Sequence, residues 1–415
     1  MSKWQKVKLG ELYEVHNGLS KGREFFGSGY PFLTFSTVFN NWFLPKKLDS
    51  LVQSSDKERE ACSIRKGDVF ITRTSETMNE LGMSSVALRD YPNATYNGFT
   101  KRLRPITDNV VPEYIGYYLR SPKFRGKFMA FSTMTTRASL ANGDLLGMEV
   151  ELPNKETQKQ IAQILFRYDT LIENYQQQIK LLEEAAQRLY KEWFVDLRFP
   201  YYENTMITDG IPEGWVKTDV NSILTFHRGY DLTHKEFVAG PYPVVGSTSI
   251  IGNHSKYKIE GPGIVTGRSG SLGVYQLIWD NFWPHNTSLY ISDFKGHDVF
   301  YIYCLLKTVD FTTLNSGGAI PSLNRNTLSN ISVMEPPMSL QAKFSEKVMP
   351  MFKRQRHLHS QVQLLTEARD RLLPKLINGE ISVETAQSVT SGLGVRKEQT
   401  DSPQATDSWK QSKER

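Results

Sequence analysis

Side chains able to form paired hydrogen bonds gather in the loops of two stretches of the chain. In the first they are Ser20-Lys21-Gly22-Arg23, Ser36-Thr37, Arg73-Thr74-Ser75 and Thr135-Thr136-Arg137. In the second they are Arg228-Gly229-Tyr230, Ser247-Thr248-Ser249, Arg268-Ser269-Gly270 and Asn315-Ser316. Guanidinium, hydroxyl and carboxamide groups offer donors and acceptors in fixed geometry, which is the chemistry of binding. Any single one of them reads equally well as an ordinary exposed loop residue. Arg73 and Arg268 stand apart, because each follows a similar short apolar run.

Bond-making chemistry has no matching signature. No GxGxxG follows a strand, and no GxxxxGK[ST] phosphate loop is present. HExxH, CxxC and GxSxG are also missing, as is an Asn-Pro-Pro-aromatic methyltransferase signature. His357 and His359 stand two apart on a helical stretch, so their rings point to different faces and cannot share a metal. Cys62 and Cys304 occupy non-matching places and read as buried fillers. The balance favours a binding protein.

The elements that must position these loops come from an internal repeat. Trp4, His16 and Gly18 match Trp215, His227 and Gly229 at an offset of 211. Tyr30-Pro31 and Ser36-Thr37 match Tyr242-Pro243 and Ser247-Thr248. Ile71-Thr72-Arg73 resembles Val265-Thr266 with Arg268, and Tyr96-Asn97 resembles His285-Asn286. Further on the offset settles at 183. There Ser139-Leu140, Pro153, Gln158 and Glu184-Ala185 match Ser322-Leu323, Pro336, Gln341 and Glu367-Ala368. All gaps fall in the front part of each repeat.

The back part explains that intolerance. Ile161, Leu165, Tyr168, Ile172, Tyr175, Ile179, Leu182, Ala186, Leu189 and Trp193 alternate spacings of four and three, a heptad seam. No Gly or Pro lies between Asn154 and Phe199, which predicts one helix of about 40 residues, on the order of 60 Å long. The second copy runs from Phe344 to Leu376 with polar seam places at Gln355 and Arg369. Pro350 is expected to kink its start and Pro374 to disturb its end. Inserting one residue would turn the seam by about 100°, whereas loops absorb insertions. The two helices are expected to pack on each other, antiparallel, with a globular domain at either end of a rod. A buried core helix in each domain is the alternative.

The fronts read as short strands between Gly, Pro, Asn and Asp: Phe32–Phe35, Asp68–Thr72, Gly263–Thr266 and Ser288–Ile291. Short helices are expected at Pro112–Leu119 and His297–Leu306. The fold class is therefore α+β: two β-rich domains joined by two long helices as an antiparallel coiled coil, in a pseudo-two-fold internal repeat. The expected organisation is a first domain over 1–153, a first long helix over 154–199, and a connector over 200–211. A second domain covers 212–337 and a second long helix 338–380. From 385 to 415 the chain is polar, and a disordered tail is expected.

Composition bounds the rest. The 415 residues are too many for one ordinary core. Two cysteines exclude a disulfide-stapled scaffold and a cysteine-rich zinc module. The N-terminus lacks the apolar region of a signal peptide, and no run of about 18 apolar residues occurs. A soluble, cytoplasmic protein is expected. The net charge of +6 divides unevenly: +5 over 1–154 and −3 over 200–338. A polyanion partner is allowed but not demanded.

Two variable β-rich domains, each followed by a long helix, resemble the specificity subunit of type I restriction-modification systems. Ser139-Leu140 to Pro153 with Gln158 and Ile161 is similar to the family's lead-in to its conserved helical region, and Ser322-Leu323 to Pro336-Pro337 with Gln341 is similar to the second. Leu372 to Ile381 resembles the family's C-terminal ending. Trp193-Phe194-Val195-Asp196 resembles the ending of its first helix, and Pro212-Glu213-Gly214-Trp215 a familiar opening. The resemblance covers about residues 4–381.

It implies that the front domains are target recognition domains, each reading half of a gapped, two-part site in double-stranded DNA. It implies helices that set the separation and dock two modification (methyltransferase) subunits, with restriction (translocase and nuclease) subunits joining them. The chain itself would perform no chemistry and carry no cofactor or metal; S-adenosylmethionine, ATP and Mg²⁺ would belong to partners. Half-sites one turn apart are separated by roughly 34 Å, within reach of such a rod. Base edges in the major groove are read by Arg, Asn, Gln, Ser and Thr. On that reading the DNA-binding residues are Ser20, Lys21, Arg23, Ser36, Thr37, Arg73, Thr74, Ser75, Thr136 and Arg137, with Arg228, Tyr230, Ser247, Thr248, Arg268, Ser269, Asn315 and Ser316 in the second domain. Tyr96-Asn97 and His285-Asn286 read equally as strand-turn structure. Two rivals remain: a coiled-coil scaffold with protein-binding end domains, and a self-contained modifying enzyme with cryptic motifs.

Overall fold

The structure, a computed structural model, describes residues 4–75, 80–131, 138–139, 141–267, 273–309 and 331–390. It divides into two compact units, one of Met1–Glu173 with Val362–Arg415 and one of Asn174–Gln361.

In the first unit the strand Gln5–Lys8 pairs antiparallel with Glu149–Leu152, so the start of the module is tied to the stretch that leads into the long helix. A four-stranded antiparallel sheet has the order Tyr13–Asn17, Thr100–Pro105, Val69–Thr72, Ser84–Val86. Val69-Phe70-Ile71-Thr72 is buried along its whole length, as expected of a β-branched and aromatic run covered on both faces. A three-stranded sheet places Phe26–Leu33 between Leu51–Val52, antiparallel, and Thr95–Tyr96, parallel.

The second unit repeats this strand for strand. Val216–Asp219 pairs with Ser332–Glu335. The four-stranded sheet runs Thr225–Arg228, Ser288–Asp293, Gly263–Gly267, Tyr275–Ile278. The three-stranded one places Tyr242–Val245 between Ile250–His254 and Trp283–Pro284, with the same parallel and antiparallel senses.

The repeated glycine now has a cause. Leu19 N–H donates to the Tyr96 carbonyl at 2.8 Å, and Tyr230 N–H donates to that of Pro284 at 2.8 Å. A Cβ on Gly18 would lie 2.2 Å from the Asn97 carbonyl oxygen, and one on Gly229 would lie 2.0 Å from that of His285. Only glycine permits this approach. The same contacts correct the sequence register. Thr100 and Ser288 each turn back onto a carbonyl three residues earlier, that of Asn97 and of His285. Asn97 therefore matches His285, and pairing Tyr96-Asn97 with His285-Asn286 is one residue out. Thr72 pairs with Thr100, and Gly267 with Ser288. Thr72 thus matches Gly267, which keeps Arg73 and Arg268 equivalent.

The long helices are Lys155–Tyr190, continued by a π-helical turn Lys191–Val195, and Met338–Ile377. The second continues through both Pro350 and Pro374. Phe344, Val348 and Phe352 are buried around Pro350, and that packing holds the helix where one backbone hydrogen bond is lost. In the first unit, Ile161, Ala162, Ile164 and Leu165 join Leu373, Leu376 and Ile377 in the core that also holds the sheet and the helix Pro112–Arg120. In the second, Tyr190, Trp193 and Phe194 pack against Phe344 and Tyr301. In each unit low numbers on one helix meet high numbers on the other, so the helices run antiparallel. Seam burial is uneven: Leu165 and Ala186 are fully buried, whereas Tyr175, Ile179 and Leu182 are half-buried.

Both polar seam places are satisfied. The Arg369 guanidinium is ion-paired with Asp169, which also accepts the Tyr117 hydroxyl, and it lies 5.1 Å from the Trp42 ring centre. In the second unit Gln355 donates to the Ile179 carbonyl at 2.9 Å and to Glu183 at 3.1 Å. Residues 385–390, expected to belong to a polar tail, are part of the helix Val383–Thr390, whose Val383 and Ala386 are buried against the first unit's core; the rest of the expected tail lies outside the described residues.

Replacing Arg369 by Ala strands Asp169 in a largely buried seam. The expected loss is roughly 2–4 kcal/mol, read as a lower denaturant midpoint, and the double change Asp169→Leu with Arg369→Met should recover most of it. A double variant as unstable as Arg369→Ala alone would show that the pair's charge is not what matters.

Candidate functional site

In the first unit the strand ends at one edge of the four-stranded sheet bring together Asn17, Arg73, Phe99 and Lys101. Asn17 and Lys101 are direct cross-strand partners. Arg73 leaves the next strand, anchored by its backbone N–H on the Phe99 carbonyl at 2.9 Å, and its guanidinium reaches the Asn17 side-chain oxygen at 3.4 Å. Lys101 is only 5% exposed, and its ammonium donates to Asn142 at the start of the short helix Asn142–Gly147. Loss of solvent, then the nearby Arg73 charge, holds this ammonium below the usual lysine range. Phe99 stands beside them, 57% exposed.

The short strand Thr74–Ser75 pairs with Ala138–Ser139. This brings the loop after Arg73 next to the segment that follows Thr136 and Arg137. Those two residues lie outside the described residues, as do the side chains of Thr74 and Ser75. Ser36 and Thr37 sit in the first turn of the helix Phe35–Asn40. Thr37 is engaged in the cap with Thr34, and Ser36 accepts from Asn40 while remaining exposed. The far end of that helix is held by half-buried Arg120, which donates to the carbonyls of Val38, Phe39 and Asn41 at 2.8–2.9 Å. Burial pulls the Arg120 guanidinium down to about 10. Ser20 and Arg23 are exposed. Lys21 is tied to Glu58 at 2.9 Å and to the Gln53 carbonyl at 2.8 Å; its hydrogen bond draws the Glu58 carboxyl down to about 2.

In the second unit Arg228 is exposed and paired with Asp231 at 3.3 Å. Asp231 also accepts from Asn286, so Arg228, Asp231 and Asn286 form one cluster. Ser247 donates to the Thr287 carbonyl at 2.8 Å beside it, and Thr248 is exposed. Tyr230 is half-buried, its hydroxyl 3.0 Å from that of Tyr290, and the Lys258 ammonium lies over its ring and that of Trp283. Arg268, Ser269, Asn315 and Ser316 lie outside the described residues.

Sequence reasoning missed Asn17, Lys101 and Asn142 as parts of a cationic cluster and Lys258 in the second unit, and it left Asn286 open between a contact and turn structure. A lysine inside the strand Thr100–Pro105, at a place that alternation assigns to the core, was the available signal for Lys101. Cys62 and Cys304 are buried free thiols, and burial pushes both up in pKa. No helix among the described residues is long and apolar enough to cross a membrane, and no His, Cys, Asp and Glu group there has the arrangement of a metal site.

Fold and site together define a duplicated binding module carried on long helices, with cationic and amide side chains at equivalent strand ends. The sequence profile described as the type I restriction modification DNA specificity domain matches residues 1–184 and 212–363, and the chain belongs to that family. It is 27% identical to the type I restriction enzyme MjaIX specificity subunit of Methanocaldococcus jannaschii, over 92% of this chain and 94% of that one. It is 23% identical to the HindI specificity subunit of Haemophilus influenzae, over 92% and 100% of the two chains. Among solved structures, the S subunit of a type I restriction-modification system from M. genitalium shares the fold, with a TM-score of 0.56 and 17% identity over 90% of this chain and 96% of that one. Specificity subunits are the non-catalytic recognition components of such systems.

Arg120→Met should remove a donor from four buried or half-buried carbonyls, those of Val38, Phe39, Asn41 and Ser84. The expected cost is roughly 2–4 kcal/mol, seen as an earlier thermal transition; an unchanged transition would mean that water replaces the guanidinium.

Proposed function

We propose that this chain is the DNA-reading component of a type I restriction-modification complex. The two front modules each read one half of a gapped, two-part site in double-stranded DNA. The long helices set the distance between the halves and dock two methyltransferase subunits, which restriction subunits join. S-adenosylmethionine, ATP and Mg²⁺ act in those partners. The observation that carries this reading is the strand-for-strand duplication, with one cation in the equivalent cross-strand pair of each unit, Lys101 or Arg228, and with Arg73 and Arg268 following equivalent strands in the sequence. Two copies of one module suit two half-sites, and differing side chains on a common frame suit different sequences. The candidate contacts are the side chains named above, some to phosphate and some to base edges.

The charge distribution adds a constraint. Residues 200–338 carry a net −3, so the second reader must meet DNA through local cations such as Arg228 and Lys258. Phosphate attraction by the methyltransferase subunits supplies the remainder. The isolated chain is expected to bind DNA weakly, and the assembled complex tightly and with sequence preference. Equal specific affinity in both states would overturn this.

Exchanging residues 1–153 for those of another reader should change one half of the methylated site and leave the other intact, as mapped by single-molecule sequencing. If both halves change, or neither, the two-reader assignment is wrong. The scaffold alternative predicts no sequence-specific footprint in any assembly. Inserting a full helical repeat at matched positions in both helices should lengthen the gap and preserve both halves.

A further inference from the structure

We propose that Arg73 and Lys101 form a single seat for a backbone phosphate of the DNA, which anchors the first reader rather than reading a base. The inference rests on the DNA-reading function proposed above and names the chemistry of one part of that site.

The first observation is an unneutralised pair of cations. Among the described residues neither Arg73 nor Lys101 takes part in an ion pair. Their side-chain partners are amide oxygens, Asn17 for Arg73 and Asn142 for Lys101. Lysine is almost never fully buried without a charged partner, yet Lys101 is 5% exposed. The neighbouring half-buried Arg104 behaves otherwise, being locked to buried Asp68 at 2.7 Å. A desolvated ammonium beside a guanidinium destabilises the free protein. Such a cost is relieved when an anion arrives.

The second observation is independent, and comes from the duplication. The cross-strand pair Asn17 and Lys101 corresponds to Arg228 and Leu289 in the second unit. The side chains are exchanged, but each pair carries one cation, on opposite strands. In the first unit Arg73, which follows the adjacent strand, stands beside the pair; in the sequence Arg268 follows the equivalent strand of the second unit. Retaining the charge while its strand changes is what a phosphate requires. A phosphate oxygen accepts from either a lysine or an arginine, whereas a base edge demands one donor geometry. Arg73 and Lys101 also approach from neighbouring strands, close enough for the Arg73 charge to act on the Lys101 ammonium.

The test compares Lys101→Met with the unaltered chain, each assembled with the methyltransferase subunits of its system. Methionine matches the lysine stem and removes the charge. Binding is measured on the cognate duplex, on a duplex mismatched in the half-site of the first reader, and on cognate duplexes with one phosphate at a time replaced by neutral methylphosphonate. Lys101→Met should weaken binding to cognate and mismatched DNA by the same factor, roughly tenfold, and reduce the slope of log affinity against log salt by about 0.9. One methylphosphonate position should weaken the unaltered complex and leave the variant indifferent. The melting temperature of the free variant should be unchanged or higher. Loss confined to the cognate duplex would make Lys101 a base reader. A lower melting temperature with an unchanged salt slope would make it a structural residue, and unchanged binding would remove it from the interface. Each of these overturns the phosphate seat alone. Absence of any preference for cognate DNA in the unaltered complex would instead overturn the DNA-reading function.

Discussion

The antiparallel apolar seam between the long helices is the contact on which the rest of each unit depends. It is not an appendage to the globular parts. In the first unit Ile161, Leu165, Leu373 and Leu376 belong to the same buried cluster as Val69, Leu103 and Tyr114. In the second, Phe344 and Val348 share a cluster with Ile264, Leu289 and Tyr301. Each four-stranded sheet therefore shares its core with both helices. A shift of one residue along either helix would turn its apolar residues away and uncover the sheet as well. The polar pairs at Asp169 and Gln355 add direction to this apolar contact. Apolar packing tolerates slippage, whereas a charge or carboxamide buried without its partner does not.

The same seam explains where the sequence varies in length. Every insertion between the repeats falls in the fronts, between strands held by backbone pairing and by a glycine approach that needs no particular neighbour. The frame survives because Gly18 and Gly229 each let a strand-end carbonyl come within reach of the following N–H. Upon that frame the side chains at strand ends are free to differ. The exchange of Asn17 and Lys101 for Arg228 and Leu289 shows how a site keeps its charge while its residues change.

Several named contacts divide residues that hold loops in place from residues that face outward. Lys21, Thr37 and Tyr230 looked like free donors in sequence, yet each is engaged by a neighbour: Glu58, Thr34 and Tyr290. Ser20, Arg23, Ser36, Thr248 and Arg228 remain exposed. Arg120 touches none of the expected contacts but fixes the helix that carries two of them.

The sequence by itself determined the duplication, the long helices, their seam and the main strands, because these rest on periodicity. Heptad spacing over Ile161 to Trp193 and β-branched runs such as Val69 to Thr72 are local patterns whose burial follows from their own geometry. It also marked Arg73 and Arg268, since both follow a matching strand. Only the tertiary structure decided the register of the smaller strands, where Asn97 proved equivalent to His285. It alone placed Lys101 beside Arg73 and paired Arg369 with Asp169. These contacts join residues tens to hundreds of positions apart. Strand pairing and helix packing choose such neighbours, and no local pattern records the choice.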